Sequence, residues 1–315
     1  MKNSILSIVV PCYNEQEVLP QTNERLRALL DGMMRDNLVA EGSYILYVDD
    51  GSADQTWELI AGYAAGDTHV RGLKLVGNVG HQNALMAGLD TARADADVTV
   101  SIDADLQDDI NVIPEMVKKF DAGNDVVYGV RRDRKADSFF KRYTAQGFYK
   151  FMARMGVKSV YNHADCRLMS RRAVDTLCMY EERNLFLRGL VPLMGYKSDS
   201  VYYDRLERKA GESKYPMSKM LSFAIDGITS FSVRPLRLIF FLGVLFLLIS
   251  FGILVYVIMA LCQGRGVQGW ASLMLSIWFV GGCLLVCLSV IAAYIGRIYT
   301  ESKHRPRYHI EQYLK

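Results

Sequence analysis

Apolar residues in the first 130 positions follow two alternating patterns, short apolar runs and longer stretches with apolar residues three and four apart. The runs at 4–10, 44–48, 70–76, 98–102 and 125–129 predict strands, and the stretches at 17–34, 54–65, 83–93 and 113–122 predict helices. Strands alternating with helices suit a sheet covered on both faces, with the helices as crossover connections. The prediction is an α/β fold with a mostly parallel sheet, whose ligands gather beyond the carboxyl ends of the strands.

Further along, the pattern changes. A charged run at 131–137 lacks periodicity and predicts a loop, and the aromatic- and Met-rich stretch 139–155 predicts a helix. Met217, Met220, Leu221, Ala224, Ile225, Ile228 and Phe231 recur at helical spacing, with Lys219, Ser222, Asp226 and Ser230 opposite them. Such a helix either lies in a membrane interface or packs on the domain surface. No charged residue falls between Arg237 and Arg265, or between Arg265 and Arg297. Both stretches exceed the roughly 20 residues a helix needs to cross about 30 Å of hydrocarbon. They predict spanning helices at 236–261 and 273–295. The organisation expected is a catalytic domain over 1–216, an interfacial helix over 217–233, a two-helix hairpin over 234–299 and a basic tail over 300–315.

The net charge of +3 matters through its placement. Arg234 and Arg237 precede the first stretch, Arg297, Lys303, Arg305 and Arg307 follow the second, and only Arg265 lies in the turn between. The positive-inside rule then puts both flanks, and the large N-terminal part, in the cytosol. Residues 1–10 run directly into a strand pattern and do not read as a signal peptide. The six cysteines show neither C-x-x-C pairs nor Cys/His ligand spacing, so no zinc site or disulfide framework is expected.

Chemistry concentrates at the predicted strand ends. Asp103 and Asp105, one residue apart after the fourth strand, suit a hard divalent cation that completes its shell with waters and substrate phosphates. Gln107 offers a further neutral oxygen. Asp49 and Asp50 follow the second strand and suit hydrogen bonds from a ribose or base, or equally a turn with Gly51 and a helix cap at Asp54. Pro11, Tyr13, Asn14 and Glu15 follow the first strand, where Tyr13 offers a ring for stacking on a base. Arg208 and Lys214 flank a turn at Gly211, suited to phosphates or to a solvated basic loop. Neither G-x-G-x-x-G after the first strand nor G-x-x-x-x-G-K-[ST] occurs, which argues against dinucleotide and P-loop folds.

The segments VVPCYNE, VDDGS, SIDADLQDD, ADCRLMSRR, ERNLFLRG, AGESKY, GITSFSVRPLR and YIGRIYTESKHRPRY stand in that order. In this the chain resembles the family 2 glycosyltransferases of the dolichyl-phosphate mannose synthase type, and more narrowly the bactoprenol glucosyltransferases with two C-terminal spans. The resemblance covers nearly the whole sequence and implies a glycosyltransferase A-type domain. It also implies that Pro11, Tyr13, Glu15, Val48 and Asp50 line the nucleotide pocket. Asp103, Ala104, Asp105 and Gln107 would hold the metal and donor, with Arg131 on the diphosphate, Arg208 and Lys214 on phosphates, and Asp165 in the place of a proposed base. Cys166 departs from the Phe or small residue frequent in relatives, which bears on the shape of the acceptor pocket.

The implied activity is inverting transfer of a sugar from a UDP-sugar, glucose first and N-acetylglucosamine next, to undecaprenyl phosphate with Mg2+ or Mn2+. The implied setting is the bacterial plasma membrane, with a homo-oligomer such as the tetramer of some relatives and no nucleic-acid partner. A processive polysaccharide synthase usually brings more spans and a Q-x-x-R-W motif, and this chain has neither. A non-enzymatic membrane scaffold would have no need of the intact acidic pair, Gln107, Asp165, Arg208 and Lys214.

Overall fold

The computed structural model describes residues 3–131, 163–183, 185–204 and 269–315, with scattered positions between 239 and 263. The loop and helix expected over 132–155, the interfacial helix, and Arg208 and Lys214 lie outside the described residues. The chain divides into two units. Unit 1 takes Met1–Tyr149, Lys158–Tyr215 and His304–Lys315; unit 2 takes Lys150–Val157 and Pro216–Lys303.

In unit 1, strands β1 (Leu6–Cys12), β2 (Tyr44–Asp49), β3 (Val70–Leu75) and β4 (Val98–Ser101) pair in parallel, as the apolar runs predict. Between them run α1 (Leu19–Arg35), α2 (Thr56–Gly66) and α3 (His81–Ala92), and α4 (Ile113–Asp121) leads to β5 (Val126–Arg131). Every residue of β1 and β2 is buried, because helices cover both faces of the sheet. Leu19, Leu26, Leu30 and Met33 form the buried stripe of α1, packing with Ile8, Val10, Ile45 and Tyr47. Pro20 is admitted in the first turn of α1, where its missing N–H would have had no partner.

The opposite face is set by Gly88 in α3. A Cβ there would lie 2.4 Å from Val9 Cγ1 and 2.7 Å from Val48 Cγ2, so the helix backbone presses directly on β1 and β2. This close approach fixes where the N-terminus of α3 meets the strand ends.

The second half of the sheet departs from the parallel expectation. Strand β6 (His163–Ser170) inserts between β4 and β5 and runs antiparallel to both. It is followed by α5 (Arg171–Met179), capped by Ser170 Oγ accepting from Ala173 N at 3.3 Å, and by α6 (Leu187–Leu193). Strand β7 (Ser198–Tyr203) pairs in parallel with β5 at one edge of the sheet. At the other edge, β8 (Ile310–Leu314) pairs antiparallel with β3, where only a basic tail was expected. The eight strands run β7-β5-β6-β4-β1-β2-β3-β8. Side chains reinforce the last pairing: Tyr308 OH donates to Asp90 Oδ2 at 2.6 Å, and Lys315 Nζ reaches Asp95 Oδ2 at 3.0 Å.

Unit 2 contributes α7 (Trp270–Ser302), 33 residues long. Among the described residues it holds the one segment long and apolar enough to cross a membrane, Phe279–Ser302, and none of that segment is buried. Leu284, Leu285, Val286 and Leu288 are all more than half exposed, an apolar surface that water alone does not stabilise. The first expected span is described only at separate positions, whose backbone is helical.

Replacing Gly88 by alanine should force α3 off Val9 and Val48. The expected cost is about 1–3 kcal/mol, the usual range for overpacking, read as a lower Tm of the purified full-length protein. An unchanged Tm would mean that α3 has room to spare.

Candidate active site

Parallel strands β1, β2 and β4 end on the same rim of the sheet, and antiparallel β6 begins there. Asp103, just past β4, and Asp165, near the start of β6, therefore meet although 62 positions separate them in sequence. The first residue of α3, His81, completes the group. One ligand atom each from His81, Asp103 and Asp165 lie within 4.8 Å of one another, with His81 Nε2 3.5 Å from Asp103 Oδ1.

Burial pushes the Asp103 carboxyl up to about 6; nearby His81 opposes the rise, and the carboxylates of Asp165, Asp108 and Asp105 add to it. Its Oδ1 is buried and makes no hydrogen bond among the described residues. An orphaned carboxylate oxygen among like charges is a poor arrangement unless positive charge joins it. The donor set of two carboxylates and an imidazole fits a divalent cation. In the turn that follows, Asp105 Oδ1 accepts from Gln107 N at 3.2 Å, and Leu106 between them has φ 43°. Ala104 is buried, its carbonyl accepting from Thr22 Oγ1 at 2.6 Å.

Asp165 is clamped. Arg188, from α6, donates Nε to Oδ1 at 3.1 Å and Nη2 to Oδ2 at 2.9 Å. Burial by itself would raise the Asp165 carboxyl, but the Arg188 guanidinium, helped by Arg167 and His81, holds it well below the usual carboxylate range. Arg167 is almost wholly buried, and its Nε and Nη1 have no hydrogen-bond partner among the described residues. A hydrogen bond donated by Leu187 N to the side-chain Oε1 of Gln82, 2.9 Å long, ties the start of α6 to the start of α3, so Arg188 and His81 are delivered to Asp165 together.

The other expected residues occupy the same rim with different duties. Asp50 accepts from Val79 N at 2.8 Å and Gly80 N at 3.0 Å, fastening the loop that leads into α3. Asp49 is fully buried, with Oδ2 lacking a hydrogen-bond partner among the described residues. Pro11 and Val48 are buried in the sheet, whereas Tyr13 is half exposed beside it. Backbone at Asn14 and Glu15 donates to Ser52 Oγ (3.0 Å) and Thr56 Oγ1 (2.9 Å), stitching the first loop to the second. Gly51, at φ +68°, allows the backbone of Gly77 and Asn78 to approach where a Cβ would clash at 2.7 Å. Arg131 pairs in two bonds with buried Asp108, Nε–Oδ1 2.7 Å and Nη2–Oδ2 3.1 Å.

His81, Asp108 and Arg188 were not singled out from sequence. The segments carrying Asp108 and Arg188 were, but a lone His after Gly77-Asn78-Val79-Gly80 offers no spacing to read.

Over residues 7–178 the sequence matches Glycosyl transferase family 2. The chain belongs to that family. This glycosyltransferase is 51% identical over 313 residues to the uncharacterized glycosyltransferase YkoT of Bacillus subtilis (strain 168), covering 99% of this chain and 93% of that protein. It is 41% identical over 308 residues to the bactoprenol glucosyl transferase of Shigella phage SfV, covering 97% and 98%. Mannosyl-3-phosphoglycerate synthase from Rubrobacter xylanophilus superposes with a TM-score of 0.51 over 74% of each chain at 17% identity, a likeness of fold alone.

The raised Asp103 pKa has two consequences for this glycosyltransferase. A divalent cation held by Asp103 would bind more weakly as pH falls through about 6, because the proton competes for the carboxylate. In the metal-free protein the sign is opposite: a carboxyl whose folded pKa exceeds its unfolded value of about 3.9 stabilises the fold at low pH and loses that contribution as pH rises. Asp103→Asn should therefore raise Tm at pH 7.5 in chelator, with the difference shrinking toward pH 4. A lower Tm for the variant at pH 7.5 would refute the crowded-carboxylate account.

Proposed function

We propose that the enzyme transfers one sugar from a UDP-sugar, glucose first and N-acetylglucosamine next, to undecaprenyl phosphate with inversion. The observation that carries this reading is the 41% identity, across 97% of the chain, to a bactoprenol glucosyl transferase. In the proposal the catalytic domain faces the cytosol of a bacterium, anchored in the plasma membrane by two helices, of which α7 is one.

The reaction forms a bond from a lipid phosphate oxygen to the anomeric carbon and breaks the bond from that carbon to the β-phosphate oxygen of UDP. The electron pair leaves with UDP. Asp103, with Asp165 and His81 beside it, would hold a divalent cation whose charge favours departure of the diphosphate. Asp105 and Gln107 remain candidates for further contacts to cation or donor. Pro11, Tyr13, Glu15, Val48 and Asp50 would form or support the nucleotide pocket, with Asp50 acting through the Val79–Gly80 backbone it fastens. Arg131, released from Asp108 or acting beside it, would meet the diphosphate, and Arg208 and Lys214 would take phosphate charge.

No base is needed at the acceptor. A phosphate monoester has a second pKa of about 6, so near neutral pH its oxygen already carries the charge required for attack. Asp165 agrees with this in character: a carboxylate held by Arg188 well below its ordinary range is a weak proton acceptor. Its part in the proposal is to order the rim, fixing Arg188 and the neighbouring ligand atoms.

The test is direct. Purified full-length protein, undecaprenyl phosphate, Mg2+ or Mn2+ and a panel of labelled nucleotide sugars should give a lipid-linked monosaccharide, and chelator should abolish it. No product from any donor would overturn the proposal. Asp165→Asn should lower kcat by about 100-fold, the scale of lost positioning near reacting atoms. Raising the pH above about 7.5 should not restore it. Recovery to the wild-type rate with rising pH would make Asp165 a base after all.

Membrane topology is read separately. A reporter fused after Lys315 should be cytosolic and one inserted near Gly266 external. A cytosolic signal at Gly266 would mean that the two helices do not both span.

A further inference from the structure

We infer that His81 is a direct ligand of the divalent cation and makes the site prefer Mn2+ over Mg2+. This rests on the cation reading proposed above and adds a nitrogen donor to it.

His81 is held by the rigid parts of the fold rather than by a loose loop. It opens α3 directly after Gly80, whose φ of +87° turns the chain, and Asp50 grips the N–H groups of Val79 and Gly80. Gly88 presses the same helix onto β1 and β2. The imidazole is therefore presented to Asp103 by backbone positions that have little freedom to choose another.

The contact it makes there is incomplete without a third party. At 3.5 Å, His81 Nε2 is too far from Asp103 Oδ1 for the charge-assisted hydrogen bond of about 2.7–2.9 Å that a committed ion pair would form. Asp103 Oδ1 is buried without a hydrogen bond among the described residues. A cation about 2.1 Å from each ligand holds adjacent ligand atoms about 3 Å apart and opposite ones about 4.2 Å apart. The ligand atoms of His81, Asp103 and Asp165 lie within 4.8 Å of one another, close to the spacing of opposite ligands. Asp165 remains competent as a ligand, since each of its oxygens receives one hydrogen bond from Arg188 and keeps a lone pair.

The choice of metal follows from the nitrogen. Mg2+ favours an all-oxygen shell, and replacing one oxygen by imidazole costs it more than it costs Mn2+, a transition metal that takes mixed nitrogen and oxygen donors. Three protein ligands on one side leave the remaining positions to waters and the substrate diphosphate.

The experiment uses the full chain in detergent with Mn2+ and UDP, read by pulsed electron paramagnetic resonance, with Mg2+ competition for relative affinity. Wild type should show coupling of bound Mn2+ to one imidazole nitrogen. His81→Ala and His81→Gln should lose that coupling, with the Mn2+-to-Mg2+ affinity ratio falling about tenfold or more, the scale on which even groups behind the ligands act. His81 is 44% exposed, so both variants should melt as wild type does. Asp103→Asn should lose Mn2+ itself. Mn2+ bound by wild type without nitrogen coupling, or an unchanged affinity ratio in both variants, would overturn the role of His81 and leave the cation reading standing. Failure of wild type to bind Mn2+ at all would overturn both.

Discussion

The rim of the sheet is governed by one constraint: carboxylates brought close together in a partly dehydrated place must be neutralised. Asp103, Asp108 and Asp165 converge where β4 ends and β6 begins, and each is answered differently. Asp165 takes the guanidinium of Arg188 in two bonds, Asp108 takes that of Arg131, and Asp103 keeps an oxygen with no hydrogen bond among the described residues. Coulomb repulsion between such groups grows as the effective dielectric falls. The arrangement is thus tolerable in the resting protein only because two of the three are already paired. The third is where an added positive charge lowers the energy most.

The same logic explains why an antiparallel strand sits inside an otherwise parallel half-sheet. A parallel β6 would have delivered its first residues to the far edge, away from the ends of β1, β2 and β4. Reversal brings Asp165 to the ligand-facing rim and, two residues on, buries Arg167 on the same face. Helix α6 then returns Arg188 to the rim, and the Leu187–Gln82 bond ties that return to α3.

Legibility in the sequence followed burial. Strands β1, β2 and β4 are buried throughout because both their faces are covered, and the positions of β1 to β5 could be read from hydrophobic runs. Strand β6 could not, since His163, Asp165, Arg167 and Ser170 interrupt its apolar residues, and Asp165 is one that meets His81 and Asp103 at the rim. Strands β7 and β8 are edge strands with exposed polar positions, and they resemble loops or tails when read alone. The spacing of the two carboxylates after β4 drew attention to Asp103, one of the three residues whose ligand atoms meet at the rim. His81 and Arg188 carry no such signal, because their partners are distant in sequence and meet them only when α3 and α6 are packed.

Strand β8 bears on how the protein comes into being. Gly72 pairs with Leu314, so the β3 edge waits for a partner that leaves the ribosome only after all of α7 has been made. Pairings of such long sequence separation form late, because the loop must close before the contact rewards it. Maturation of the catalytic sheet is thereby scheduled behind synthesis of the apolar helix. A chain stalled or cut short within that helix retains an open strand edge, a recognisable mark of an unfinished enzyme.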